Sequence, residues 1–289
     1  MSRRRTVNLA LVAVAAATLG AAACGGSPSA PTPPGSGGGP VTPPANAAPV
    51  IRSIAASAER AEADTDVTIT ATIEDAETPV NQLQLTWTVP AGAIVGNGAT
   101  VTWHTPKDEP TPREYGVTLT VTETYGTANA SGVRPQHVVT SQSPLVRVHN
   151  SPRELGDLSL TFLRDFANSS VPADAAVRDF SDSCPGKADE FSDVRNNREQ
   201  FEILGSSLQL RSVRVASNNV RADMTVACSF TSRIKKCEPG STGCVVGAVG
   251  TVTGDCNLTG VYEQKRWWLC TSNFAGRQTA DAFRRFFGR

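Results

Sequence analysis

Reaction chemistry needs nucleophiles, acids and bases at defined spacings, and this chain offers few. Its three histidines, His104, His137 and His149, are scattered. None is spaced with cysteine or a second histidine as a zinc site requires, so each reads as a surface or strand-end residue. Glu74, Asp75 and Glu77 form an acidic loop that could hold Ca²⁺ together with backbone carbonyls. The spaced oxygen ligands of a calcium motif are missing, and a solvated loop is the plainer reading. There is no Gly-x-Ser-x-Gly elbow, no phosphate-cradling glycine loop and no metal-ligand cluster in the sequence. We therefore assign no catalytic residue, no metal site and no cofactor. Tyr262, Trp267 and Trp268 remain as candidates to line a ligand pocket. Large aromatic residues in a small domain mostly serve as core and rim; the solvent-facing member of the tryptophan pair is the better contact.

The chain that must position these residues begins with a leader. Arg3, Arg4 and Arg5 precede an apolar run from Leu9 to Ala23, which ends in Ala21-Ala22-Ala23-Cys24-Gly25. The run is shorter than the ~20 apolar residues of a membrane span and has the layout of a secretory signal peptide. Its exit resembles the bacterial lipoprotein signal, in which the cysteine receives diacylglycerol and becomes the mature N-terminus. Here Ala21 stands where that family usually has Leu, with Leu19 two residues earlier. The resemblance implies a lipid on Cys24 and, with Gly25 rather than Asp following, the outer membrane of a cell that has one. The alternative is an ordinary cleaved signal peptide with Cys24 incidental. The implied partner is the membrane: each buried acyl CH₂ contributes about 0.8 kcal/mol, and stable anchoring takes more than one chain.

Residues 24–48 form a tether. From 25 to 48 it carries seven Pro, six Gly and no charge, a composition that buries no core. A coil of that length spans roughly 30 Å, or about 75 Å if drawn out as polyproline II. Without residues 1–23, 24 basic residues stand against 27 acidic. Residues 24–150 hold 6 basic and 11 acidic, and residues 151–289 hold 18 and 16. Neither balance is basic enough for a nucleic-acid partner.

Between 49 and 150 the pattern is period two. Val67, Ile69, Ala71 and Ile73 alternate with Thr, as do Leu83, Leu85, Trp87 and Val89 with Gln and Thr, and Val117, Leu119 and Val121 with Thr. Val50–Ile54, Val101–Trp103 and Val146–Val148 add further strands, and Thr78-Pro79 and Thr105-Pro106 mark turns. Such spacing predicts half-buried antiparallel strands in a β-sandwich. The run Tyr115-Gly-Val-Thr-Leu-Thr-Val-Thr-Glu resembles the penultimate strand of the immunoglobulin-like superfamily, especially its PKD-type modules. The resemblance implies that Tyr115 makes a tyrosine corner and that Trp87 is the core tryptophan. No cysteine lies here, so the inter-sheet disulfide of antibody domains is absent.

From Asn150-Ser151-Pro152 the period changes. Leu155, Leu158, Phe162 and Phe166 share a helix face. Asn168-Ser169-Ser170 stops that helix, and Ser170 can cap another, with Pro172 in its first turn and Val177, Phe180 and Cys184 on one face. A third helix is expected through Phe191 and Val194 towards Phe201. Strands follow. Leu208–Leu210 and Val213–Val215 are out of phase, which predicts a bulge. Ser217-Asn218-Asn219 is a turn. Val220, Ala222, Met224, Val226, Cys228 and Phe230 share a face, as do Val246, Ala248, Val252, Cys256, Leu258 and Tyr262, with Gly250, Gly254 and Gly260. A turn at Gln264-Lys265 leads into Arg266-Trp267-Trp268-Leu269-Cys270. Helices first and then a bent antiparallel sheet make an α+β domain over 151–289. It resembles the NTF2-like fold, with Leu258–Leu269 similar to that superfamily's last hairpin. Enzymes of that family place an acid or a His–Asp pair inside the cone. This half has no histidine, and Asp223 and Asp255 fall on outer faces. In the tail, 275–289, Ala282, Phe283, Phe286 and Phe287 with Arg284, Arg285 and Arg289 suit a short basic amphipathic helix packed on the domain; contact with a partner or lipid is the sharper reading.

If Cys24 carries lipid, six cysteines remain, all in the second half. An even number in an exported chain reads as disulfides. Cys237 and Cys244 bracket a six-residue loop, Cys228 and Cys256 lie on core faces of neighbouring strands, and Cys184 and Cys270 are then left. Sequence alone leaves about 15 pairings open. The expectation is a lipid-anchored envelope protein that binds or adheres without catalysis, its partner another envelope protein or a glycan. The alternatives are an NTF2-like enzyme with its site in the cone, and a purely structural envelope component.

Overall fold

The computed structural model describes residues 45–237, 239 and 244–273. The leader, Cys24, the tether as far as residue 44 and the tail over 275–289 lie outside the described residues. Alternation does in the first half what a pleated strand requires. In β3 (Asp66–Glu74) Val67, Ile69, Ala71 and Ile73 are buried, and the residues between them face solvent. With β1 (Val50–Ala56), β2 (Arg60–Glu62), β4 (Gln84–Thr88), β5 (Ala93–Val95) and β6 (Thr100–His104) it builds the first part of this half. Next come β7 (Arg113–Tyr115), β8 (Thr118–Thr124), β9 (Gln136–Gln142) and β10 (Val146–His149). The strands form three sheets, ordered β1-β3-β6-β5, β2-β10-β7 and β4-β8-β9. β10 runs parallel to β2, and the other pairings are antiparallel.

One core joins the three sheets. Its centre is Trp103, fully buried, whose ring lies 5.7 Å from that of Tyr115 and whose Nε1 donates to the Ala91 carbonyl at 3.0 Å. Trp87, the tryptophan that the resemblance picked out, sits nearer the margin and donates to the Gly98 carbonyl at 2.9 Å. Tyr115 is buried, but its hydroxyl has no hydrogen-bond partner among the described residues, so no tyrosine corner forms. Nor is 115–123 one strand. Tyr115 ends β7, and the chain crosses to another sheet before Thr118. Gly116 lies at the crossing, where the Gln142 side chain stands 2.4 Å from the place a Cβ would take.

The second half opens on α1 (Ser151–Ala167), which buries Leu155, Phe162, Leu163 and Phe166. Asn150 caps it, accepting from the Arg153 N–H at 3.2 Å, and Pro152 occupies its first turn. The expected helix over 172–184 is reduced to α2 (Ala173–Ala176), preceded by Pro172 rather than capped by Ser170. The reason is competition for backbone. Leu269 donates to the Asp179 carbonyl at 2.9 Å and accepts from the Ser181 N–H at 2.8 Å, so 179–181 is extended beside the sheet. α3 (Gly186–Gln200) runs directly into β11 (Phe201–Val215). Its Arg198 donates to the Asp165 and Asn168 carbonyls at 2.6 and 3.1 Å, taking up acceptors at the end of α1. Burial pulls the Arg198 pKa down from its ordinary value.

β12 (Arg221–Ile234), β13 (Val249–Glu263) and β14 (Arg266–Asn273) complete a sheet ordered β11-β12-β13-β14. The register shift between Leu210 and Ser212 is the expected bulge. Gln264 and Lys265 both adopt positive φ, 51° and 63°, the geometry of a two-residue hairpin turn. Val246 and Ala248 do not share the β13 face: the strand begins at Val249, and Val246 is exposed in the turn before it. On that strand Gly260 makes room, with Leu155 Cδ2 2.7 Å from where a Cβ would stand, whereas Gly254 faces open space. The cysteines pair as Cys184–Cys270, Cys228–Cys256 and Cys237–Cys244, the chemistry of an oxidising compartment. No described helix is long and apolar enough to cross a membrane.

Candidate functional site: a buried polar junction

The described residues from Asn46 onward pack as one compact unit, and the polar groups with most chemical potential meet where its two halves join. Only Asn150 separates β10 from α1. That brings His149, Ser151 and Glu154 against β2 on one side and the β13–β14 hairpin on the other. Glu62 of β2 accepts from the Ser151 backbone N–H at 2.9 Å and from its hydroxyl at 2.7 Å. A carboxylate at the first turn of a helix is favoured by the unpaired N–H groups there. The Ser151 hydroxyl in turn accepts from Trp267 Nε1 at 2.8 Å and from Arg60 Nη2 at 3.1 Å. One donor and two acceptors are all that a hydroxyl has, so this one is saturated. Arg60 also donates to Glu62 at 3.1 Å and to the Asn219 carbonyl, and its guanidinium lies 3.6 Å over the Tyr262 ring.

A second chain of contacts runs beside the first. Tyr262 Oη lies 3.0 Å from His149 Nε2, and His149 Nδ1 lies 2.8 Å from Glu154 Oε2. Glu154 Oε1 accepts from the Asn150 N–H at 3.0 Å, closing a reciprocal cap on α1. Burial pushes the Glu154 carboxyl up, but its bond with His149 and the neighbouring donors outweigh this and leave its pKa below the ordinary value. Burial raises the Tyr262 phenol, against the pull of Arg60 and Arg147.

Tyrosine, histidine and glutamate in line have the connectivity of a nucleophile, a base and an orienting acid. The environment defeats that use. His149 is fully enclosed, and a raised phenol pKa makes Tyr262 a poorer nucleophile at neutral pH, not a better one. His149 is thus a strand-end residue but not a surface one. Of the aromatic candidates, Tyr262 and Trp267 come together here, with ring centroids 5.4 Å apart, and Trp267 is buried. Trp268 points the other way. The Arg266 guanidinium covers its ring at 3.8 Å, and its Nε1 donates to the Glu263 carbonyl at 3.2 Å. The residues Phe162, Phe180, Met224, Phe230 and Leu258 belong to one buried core between the helices and the sheet. Beside Phe166 and Phe230 a cavity of about 20 Å³ persists, room for about one water molecule.

Arg60, Glu62, Ser151 and Glu154 were not singled out by sequence. One signal was present: Ser151-x-x-Glu154 just before an apolar run is a capping-box pattern. The structure uses it shifted by one residue, with Asn150 as the cap. Nothing in sequence ties Glu62 to Ser151, 89 residues away.

The other titratable groups are used locally. His104 bridges Asp66 at 2.8 Å and Asp64 at 3.1 Å, which together raise its pKa. In the acidic loop, Glu74 pairs with Arg52 at 2.8 Å, and Asp75 Oδ1 accepts from the Glu77 and Thr78 N–H groups at 2.9 and 2.7 Å. Among the described residues no group of His, Cys, Asp and Glu could hold a metal ion. Glu123 is a buried carboxylate clasped by Asn46 at 2.8 Å, His137 at 3.0 Å and the Thr78 hydroxyl. Burial raises its pKa, but those three donors outweigh it and hold the net value below the ordinary one. Glu190 of α3, also buried, accepts from the Ser272 N–H at 2.8 Å and from its hydroxyl at 2.7 Å.

No family model matches this chain, and no curated protein matches it. Among solved structures, the intermembrane space region of chloroplast protein ARC6 is similar with a TM-score of 0.31 and 11% identity, over 43% of this chain and 95% of that one. A likeness that slight carries no argument about fold or function.

Proposed function

We propose that this is an exported protein, lipid-anchored through Cys24 to the outer membrane, which presents a non-catalytic binding or adhesion module to an envelope protein or glycan. In this reading residues 49–150 are an Ig-like, PKD-type sandwich that serves as a stalk. Residues 151–289 are an NTF2-like domain whose cone is filled by its own side chains. The observation that supports it most is the junction. The groups best suited to chemistry, His149, Glu154, Ser151 and Tyr262, are engaged in holding the two halves together. Three disulfides support an extracytoplasmic setting.

The anchor is tested by growing expressing cells with radiolabelled palmitate. Wild-type protein takes up label and a Cys24→Ala variant does not. Absence of label in the wild type, or equal label in the variant, refutes the anchor. The enzyme reading draws on one observation, the Tyr262–His149–Glu154 chain. As a nucleophile or base, Tyr262 would need a pKa below the ordinary value, the opposite of the direction given by burial.

A further inference from the structure

We propose that Asn97 is a modification site, where the chain rearranges through its own Gly98 amide to aspartate and isoaspartate. Asn97-Gly98 is the one Asn-Gly pair in the sequence. It lies in the connection between β5 and β6, and Gly96, Asn97 and Gly98 are all exposed. Among the described residues neither the Asn97 side chain nor the Gly98 N–H makes a hydrogen bond. Asparagines in other exposed turns are held. The side-chain oxygen of Asn129 accepts from the Ser131 and Val133 N–H groups at 2.9 and 3.0 Å. That of Asn168 accepts from the Ser170 N–H at 3.0 Å, and that of Asn218 from the Val220 N–H at 3.2 Å.

The fold does not require glycine at 98. At Gly92, by contrast, φ is +85° and a Cβ would stand 2.3 Å from the His104 carbonyl oxygen. A Cβ at Gly98 would meet nothing within 4 Å, and its φ lies outside the left-handed region. What glycine supplies here is an unshielded nitrogen with the backbone freedom to turn towards the preceding side chain. That nitrogen gives its proton to solvent base and attacks Asn97 Cγ. A cyclic imide forms, the Cγ–Nδ2 bond breaks, and ammonia leaves after taking a proton from solvent. Water then opens the ring. Addition at Cγ restores the main chain with an aspartate at 97. Addition at the α-carbonyl carbon leaves the main chain running through Cβ and Cγ, with a free α-carboxylate. No electrons are exchanged, and water is the only co-reactant. Either product adds a negative charge to the turn, and the second also lengthens the backbone beside Gly98. The Gly98 carbonyl accepts from Trp87 Nε1 at 2.9 Å, and the Ala99 carbonyl from the Ala71 N–H at 2.8 Å. Isoaspartate at 97 therefore acts on the margin of the sandwich core.

The test ages the full-length, oxidised protein at mildly alkaline pH. Peptides are followed by mass spectrometry for the amide-to-acid mass gain, and protein isoaspartyl methyltransferase labels isoaspartate. Asn97 is expected to convert ahead of Asn129, Asn168 and Asn218, with methyl label in its peptide and a rate that rises with pH. Gly98→Ala, which the open space at 98 accommodates, slows the conversion about tenfold, because alanine shields the nitrogen and lacks glycine's freedom. Asn97→Gln, which leaves Gly98 in place, loses the label as well. Aged wild type unfolds at a lower urea concentration than aged Gly98→Ala. Faster conversion at any of the other three asparagines, an unlabelled Asn97 peptide, or an equal rate in Gly98→Ala overturns the proposal. Equal urea midpoints after ageing overturn the link to Trp87.

Discussion

Replacing Ser151 by alanine removes one oxygen from the middle of the junction. The hydroxyl is wholly buried, donates to Glu62 at 2.7 Å and accepts from Trp267 Nε1 at 2.8 Å. A hydrogen bond to a charged acceptor contributes about 1.5–3 kcal/mol, and a buried indole N–H left without an acceptor costs about 1–3 kcal/mol. The two overlap, because Arg60 and the Ser151 backbone N–H still satisfy Glu62. We expect a loss of about 3 kcal/mol. For a unit of this size that lowers the melting temperature by about 6–12 °C. Urea unfolding followed by tryptophan fluorescence and by circular dichroism reads both the midpoint and its slope. A Thr251→Ala variant is the control. Its hydroxyl bonds Thr231 at 2.9 Å on the exposed face of the sheet, and it should change stability by no more than about 0.5 kcal/mol. If Ser151→Ala is equally silent, the junction does not hold the halves together. If the two probes separate in the wild type, the halves unfold independently and the same reasoning fails.

Three further outcomes follow from the same contacts. The spectrophotometric alkaline titration of wild type minus Tyr262→Phe should show a phenol ionising above 10.0, its ordinary value. Because the folded value is raised, its stabilisation is complete below the unfolded pKa and is lost as pH climbs through the folded one; a phenol titrating at or below the ordinary value would revive the enzyme reading. Glu123 and Glu154 have lowered pKa values, so their stabilisation is present above about pH 4.5 and is lost as pH falls through the folded values. Glu123→Gln should flatten the acid limb of the stability curve, and an unaltered limb would show that the carboxylate is not held by its three donors. Replacing Cys184 and Cys270 together by serine opens a loop of 86 residues and Cys237 with Cys244 one of 7; the chain-entropy costs are about 4.5 and 2.5 kcal/mol. A reversed order in thermal melts would contradict the loop-length argument.

The strands of the first half were legible where one face is buried, since alternation records the contrast between core and solvent. β9 was not, because the inward positions of this edge strand, His137, Val139 and Ser141, are only half-buried and two of them are polar, so no hydrophobic alternation marks it. The register of β12 and the bulge near Arg211 could be read because a slip moves every side chain to the other face. The helix over 172–184 failed for a different reason. Phe180 has helical spacing from Val177, but the backbone around it bonds to Leu269, a tertiary pairing that local pattern does not encode. The candidate site was the least legible part. Tyr262 and Trp267 could be named because aromatic residues are conspicuous. Their partners Arg60, Glu62 and Ser151 are ordinary polar residues that acquire a role only when chain segments far apart in sequence meet.

The parallel pairing of β2 with β10 also has a mechanical meaning. Arg147, Val148 and His149 lie beside Arg60, Ala61 and Glu62, and the chain passes from His149 into α1 after one residue. A pull on α1 away from the sandwich draws β10 along its own axis. The bonds from the Ala63 N–H to the His149 carbonyl, 2.6 Å, and from the Arg147 N–H to the Glu59 carbonyl, 2.9 Å, lie across that direction. They are strained together instead of opening one after another like a zip. Tension between the halves is therefore met in shear, at the seam that also encloses Ser151, and that seam should yield at a higher force than a hairpin peeled from its end.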